Sequence, residues 1–281
     1  MIRIYSDILA GCILLGSVAA AGLEIRAQEK PLPNLQSLLA DAKEHEKATQ
    51  KLRENSTYSA AFTTETLDEK GRVTKTENEQ FDVFFVNGHA IERKVRKDGR
   101  PLTPHEDAKE TERVTKLIAK AEKTPRDEPL TGSVITLGRL LSLMDVGPAR
   151  RVISKGRPTI LFDFKGNKNA KTHGMEEGIS KNLHGSIWID EADRQPVCFD
   201  VTVDENFRVG GGLLGVVEKG THFHGEDALV GDHLWLPSGM QTEVNVRAFV
   251  AMKIRERISE RDYDYKRFNV DAQSAKDAKP K

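Results

Sequence analysis

The sequence predicts an α+β fold, mainly β: one large curved antiparallel sheet, an incomplete β-barrel, with helices covering its concave face. Three observations predict it. Period-two apolar patterning recurs along most of the chain, as in Val197, Phe199, Val201 and Val203. Short turn signals of the hairpin type separate the runs, Asn87-Gly88 being the strongest. Finally, no strand–helix–strand alternation appears, which argues against a parallel doubly wound sheet.

The first segment reads as an export leader rather than as part of the fold. Arg3 precedes an apolar run from Ile8 to Leu23, and Ala19, Ala20 and Ala21 close it. Residues 1–28 are therefore expected to be a signal peptide, cut after Ala21 or Ala27. An uncleaved anchor and lipidation at Cys12, which ends Leu9-Ala10-Gly11-Cys12, are the rival fates. Pro31 and Pro33 mark a linker into the domain, expected over residues 29–268, and residues 269–281 read as a disordered tail.

A helix is predicted over residues 34–54, with Leu35, Leu38, Leu39, Ala42, Thr49 and Leu52 on one face. Strands begin near Thr57 and meander through turns at Asp68-Glu69-Lys70-Gly71, Asn87-Gly88 and Lys97-Asp98-Gly99. A charged helix follows from about His105 to Lys123, with Thr103 or Thr115 as a candidate to cap or punctuate it and Pro125 and Pro129 ending it. A short, unusually apolar helix is expected over residues 133–144. The remainder reads as strands: Thr159 to Phe164, Ser186 to Asp190, Pro196 to Asp204, Gly215 to Glu218, Thr221 to Gly225, His233 to Leu236, and one long run from Gln241 to Ile258. Residues 165–182 read as a loop. The total is ten to twelve strands, with two helices between the early and late groups.

Charge narrows the function classes. Lys+Arg and Asp+Glu both number 43 in 281 residues, for a formal net charge of zero. Phosphate recognition favours a basic excess, so nucleic acid is not the expected partner. Two cysteines, one of them in the leader, allow no internal disulfide in the mature chain. Cys198 is expected to be buried and inert.

Catalytic signals are weak. Gly210-Gly211-Gly212-Leu213-Leu214-Gly215 matches G-x-G-x-x-G in letters, but strand patterns flank it on both sides where a dinucleotide site needs a helix. A glycine-rich bend is the simpler reading. His222 and His224 stand two apart and would share one face of a strand, with His233 nine residues on. Such a set could bind zinc or copper; the polar side of a hairpin has the same pattern. No nucleophile-elbow, Walker or H-E-x-x-H motif occurs. No enzyme activity, cofactor or metal is expected. Trp188 shares a parity with Ser186 and Asp190, and could line a pocket or pack beneath a helix.

Four phrases together carry a resemblance. They are Gly185-Ser186-Ile187-Trp188-Ile189-Asp190, Arg194-Gln195-Pro196-Val197, His233-Leu234-Trp235-Leu236-Pro237-Ser238 and Tyr263-Asp264-Tyr265-Lys266-Arg267-Phe268. In this order they resemble the lipoprotein-sorting carrier superfamily (LolA/LolB-like) across residues 55–268. The resemblance implies a half-barrel whose concave face holds acyl chains beneath helices; with the leader, a periplasmic protein is expected, and a monomer. It implies lipid or lipoprotein acyl chains as ligand, with an envelope protein as the alternative partner. The cavity residues expected from patterning are Phe162, Phe164, Phe199, Val201, Val244 and Val246, with Leu137 and Leu141 from the covering helix.

Overall fold

The computed structural model describes residues 31–130, 137–209, 215–230, 234–248 and 252–267. The expected leader and tail lie outside them. Helix α1 spans Leu35–Glu54, and the Asn34 side chain caps it by accepting from Ser37 N at 3.1 Å. Strands β1 (Ser56–Leu67), β2 (Val73–Val86), β3 (His89–Lys97) and the two-residue β4 (Arg100–Pro101) follow as the predicted meander. The turns are set by backbone conformation. Asn87 and Gly88 both have positive φ (49° and 82°), as do Asp98 and Gly99 (49° and 76°). That is the mirror-type hairpin geometry, which matches strand twist and favours Asn or Asp before Gly.

Helix α2 (Pro104–Ala121) starts with a complete capping box. The Thr103 hydroxyl accepts from Glu106 N, while the Glu106 carboxylate accepts from Thr103 N at 2.8 Å. Arg100 forks onto the same carboxylate at 2.7 and 2.9 Å. These donors hold the Glu106 carboxyl far below its usual range, the Arg100 bond first. Thr103→Ala is expected to cost about 1 kcal/mol in urea unfolding; an unchanged midpoint would show that the cap is idle.

The short helix α3 covers Leu137–Ser142, and β5 begins at Met144. The expected helix over residues 133–144 is thus shorter at its C-terminal end, because Met144 pairs with Gly166 instead of continuing the turn; residues 133–136 lie outside the described part. Then come β6 (Arg150–Ser154), β7 (Arg157–Gly166), α4 (Gly174–Ser180), β8 (Leu183–Asp190), β9 (Pro196–Val203), β10 (Phe207–Val209), β11 (Gly215–Val217), β12 (His222–Val230), β13 (Leu234–Ala248) and β14 (Met252–Arg267). Helix α4 falls within the stretch expected to be loop. The long run expected from Gln241 to Ile258 is two strands. Val246 and Ile254, apparently in series, are cross-strand partners. Because β10 pairs with β11, the glycine-rich segment lies between strands, not before a helix.

The described residues form one 14-stranded sheet, in the order β4-β3-β2-β1-β14-β13-β12-β9-β8-β7-β5, with β6 beside β7 and β10-β11 beside the end of β13. Every pairing is antiparallel. The main core lies where α1 and α3 meet β7, β8 and β9: Leu38, Ala42 and Leu141 pack with Ile160, Phe162, Phe164, Ile187, Ile189, Val201 and Val203. Tyr58, Ala60, Phe81 and Val83 form a second cluster. Helix α2 covers the opposite face, through Val114 and Ala121 against Ile91, with Phe84 and Val86 alongside. Phe84 next to Phe85 gives β2 apolar side chains on both faces, so each face needs a cover.

Candidate ligand-binding cavity

A cavity of about 390 Å³ lies between α1 and the strands β8, β9, β12 and β13. Leu140, Phe164, Ile187, Phe199, Val201 and Trp235 give it apolar walls, and Thr49, Gln50, Arg53, Gln195 and Asp227 supply polar ones. That volume and that mixture are usual for small-molecule sites.

Two glycines place the aromatic walls. A Cβ on Gly225 would lie 2.2 Å from Phe199 Cε1, so the Phe199 ring occupies space that any other residue at 225 would claim. A Cβ on Gly185 would meet Phe164 Cζ at 2.7 Å and Asp200 O at 2.1 Å. Phe199 keeps 37% of its surface exposed although it stands on the core side of its strand. An accessible aromatic wall there is a surface that a ligand can cover.

Helix α1 is tied over the cavity at its rim. The Thr49 hydroxyl donates to Gln195 Oε1 at 3.3 Å, and Arg194 pairs with Asp41 at 3.2 Å. Arg53 donates to Tyr58 Oη at 3.1 Å and stands 5.7 Å from the centre of that ring.

The turn between β8 and β9 is organised by buried charge. Asp190, 1% exposed, accepts from Arg157 Nε at 2.6 Å and from the backbone of Ala192 and Asp193 at 3.0 and 2.8 Å. Asp193 accepts from Arg157 at 2.6 Å and from Trp235 Nε1 at 3.0 Å. The Arg157 guanidinium lies 5.7 Å from the Trp235 ring centre. Two of the sequence phrases singled out above, one ending in Asp190 and one containing Trp235, therefore meet here, and Trp235 walls the cavity.

Behind the polar end lies a group of half-buried acids. Burial, and then the charge of Asp262, push the Glu260 carboxyl up to about 7. Burial likewise raises Asp262, and pushes Asp227 up to about 6. Arg53 from α1, Tyr58 from β1, Glu92 from β3, and Asp262 and Tyr265 from β14 surround Glu260 and Asp262. Tyr265 donates to Pro237 O at 2.8 Å. Arg53 Nε and Asp262 Oδ1 are buried without a hydrogen-bond partner among the described residues.

The sign of the linkage follows from the raised carboxyls. The folded state holds protons that the unfolded chain releases near pH 4, so this stability is full below pH 4 and is lost as pH rises towards 7. Glu260→Gln should add about 1 kcal/mol at pH 8 and little at pH 4. Urea midpoints at the two pH values test this; equal gains would remove proton linkage as the cause.

Of the residues predicted to line a cavity, Phe164, Phe199 and Val201 do so. Phe162 and Leu141 are buried in the main core beside it. Val244 and Val246 stand half-buried farther along β13, and the Leu137 side chain lies outside the described part. Leu140, Ile187 and the polar α1 residues were not foreseen; nothing in their spacing separates a cavity wall from ordinary core. Trp188 pairs across to Leu161 and Cys198 and is not in the lining.

On the opposite face, His222 and His224 share one side of β12, as period two requires. Both reach Asp200, at 3.0 and 3.2 Å. His233 lies outside the described residues. Cys198 is half-buried, and burial pushes its thiol up to about 11. Among the described residues no helix is long and apolar enough to cross a membrane.

No protein-family model matches the chain, and no curated protein does. Solved structures do. The fold is similar to that of LolA superfamily proteins. One such protein, from Nitrosomonas europaea, is 12% identical with a TM-score of 0.36, over 86% of this chain and 97% of that one. A lipoprotein-sorting protein domain from Vibrio parahaemolyticus is 9% identical with a TM-score of 0.41, over 84% and 94%. The MucA/MucB complex of Pseudomonas aeruginosa contains a match at 10% identity and a TM-score of 0.25, over 79% and 94%. At these values the sheet order and core read from the chain itself define its fold.

Proposed function

We propose that this protein is a periplasmic binding protein for lipid or lipoprotein acyl chains, without catalytic activity or a cofactor in that role. The observation that carries the reading is the cavity beneath α1, with apolar walls and one polar end. An acyl chain seated on Phe164, Ile187, Phe199, Val201 and Trp235 gains about 0.8 kcal/mol for each methylene it buries. Its polar head then lies towards Arg53 and Asp227, where a cation and a carboxyl can each hold a hydrogen-bonding group. The leader expected from the sequence supports the same compartment, and the sequence resemblance the same cargo class.

Native mass spectrometry of protein purified from a bacterial periplasm, before and after organic extraction, tests the reading. A lipid or acylated peptide retained one-to-one is the expected result. A clean apo mass together with no uptake of a fluorescent fatty acid would overturn it and favour an envelope protein as the partner.

A further inference from the structure

The side chains of β9 and β12 that alternate with Phe199 and Gly225 hold a second constellation, which shares Cys198 with the cavity lining. Cys198 on β9 is the cross-strand partner of Glu226 on β12, and His224 stands two residues before Glu226 on the same side. Period-two geometry thus brings a sulfur, an imidazole nitrogen and a carboxylate oxygen together from adjacent strands. Their ligand atoms all lie within 4.8 Å of one another.

We infer that Cys198, His224 and Glu226 form a zinc-binding site with one open coordination position. The donor set argues for the metal. A thiolate, an imidazole and a carboxylate suit zinc, whereas calcium and magnesium take oxygen ligands. Three protein ligands leave the fourth tetrahedral position to water or an incoming donor.

The surroundings fit as well. His224 Nε2 faces Glu226 at 3.2 Å, while its Nδ1 lies 3.2 Å from Asp200. With Nδ1–H donating to Asp200, Nε2 is free to ligate. This is the carboxylate–histidine–metal arrangement that fixes ring orientation at zinc sites. His222 Nε2 also bonds Asp200, at 3.0 Å, which holds that carboxylate in place. Lys155 Nζ meets the outer oxygen of Glu226 at 3.0 Å and leaves the inner oxygen for the metal. Binding breaks the Cys198 S–H bond and forms a Zn–S bond, and the proton leaves to solvent; no redox partner is needed. The cation then offsets the charge of Glu226 and Asp200, the carboxylates beside the thiol and the imidazole.

Cobalt(II), which replaces zinc in tetrahedral sites and reports its ligands by colour, provides the test. It is added to the chelator-treated chain carrying Cys12→Ser, so that Cys198 is the only sulfhydryl. One cobalt per chain with a thiolate-to-metal charge-transfer band is expected, and zinc should displace it. That readout needs no variant at the site. Cys198→Ser should abolish the band and weaken binding at least tenfold, as should His224→Ala. Asp200→Asn, which alters only the orienting partner, should weaken binding about 10- to 100-fold while keeping the band. Absence of the band in the Cys12→Ser chain would overturn the proposal. So would cobalt affinity unchanged by Cys198→Ser.

Discussion

Replacing Asp190 by alanine should destabilise the protein by about 3–5 kcal/mol. The carboxylate is almost wholly buried and serves four donors: two nitrogens of Arg157 and the backbone of Ala192 and Asp193. Its removal leaves a guanidinium with only Asp193 to answer it and two turn amides unpaired. Trp235 then loses its anchor indirectly, since Asp193 holds both Arg157 and the indole. Urea unfolding at pH 7 measures the loss. Pairing the change with Arg157→Met should recover little of it, because the buried Asp193 carboxylate then loses its guanidinium partner. A loss below about 1 kcal/mol would mean that the network contributes little beyond its desolvation cost.

Gly225→Val should weaken acyl-chain binding by tenfold or more, about 1.4 kcal/mol, while the sheet stays folded. The new side chain lands on the Phe199 ring, and with β12 and β9 fixed by their pairing the ring must tilt into the cavity. Valine suits a strand, so the local backbone tolerates it. Displacement of a fluorescent fatty acid gives the affinity, and far-ultraviolet circular dichroism confirms the fold. Wild-type affinity in a folded variant would place the ligand elsewhere. Phe199→Ala is the complementary change. It widens the same space and should shift preference towards bulkier chains.

Much of this architecture is legible in the sequence because period two and turn chemistry are local. Val197, Phe199, Val201 and Val203 do share a face, and the Asn-Gly and Asp-Gly turns fall where expected. Helices α1 and α2 start within one residue of the expected places, and Thr103, one of two candidates, caps α2. What was illegible depends on distant partners. The pairing of β14 with both β1 and β13 leaves no local trace, and the break in the run from Gln241 to Ile258 is hidden by its unbroken alternation. Apolar patterning assigns a face but does not separate core from cavity wall. Phe162 and Phe164 share a parity, yet one is sealed by α1 and α3 and the other borders open space. The Cys198–His224–Glu226 group was legible only in part. The two histidine parities point to one side, whereas the cysteine joins through a register that only the folded sheet supplies.

The junction of β1 with β14 has a consequence for how the chain reaches its final state. These are the first and last strands of the sheet, yet they are neighbours near the middle of its order. The meander β1–β4 and the block from β5 to β13 can each zip up from short-range contacts. They become one object only when residues 252–267 slot between them, which closes a loop of some 200 residues. Such closure is entropically costly and slow. A chain lacking its last strand is held as two unjoined halves with raw edges, so the whole sheet sets only once residues 252–267 are in place.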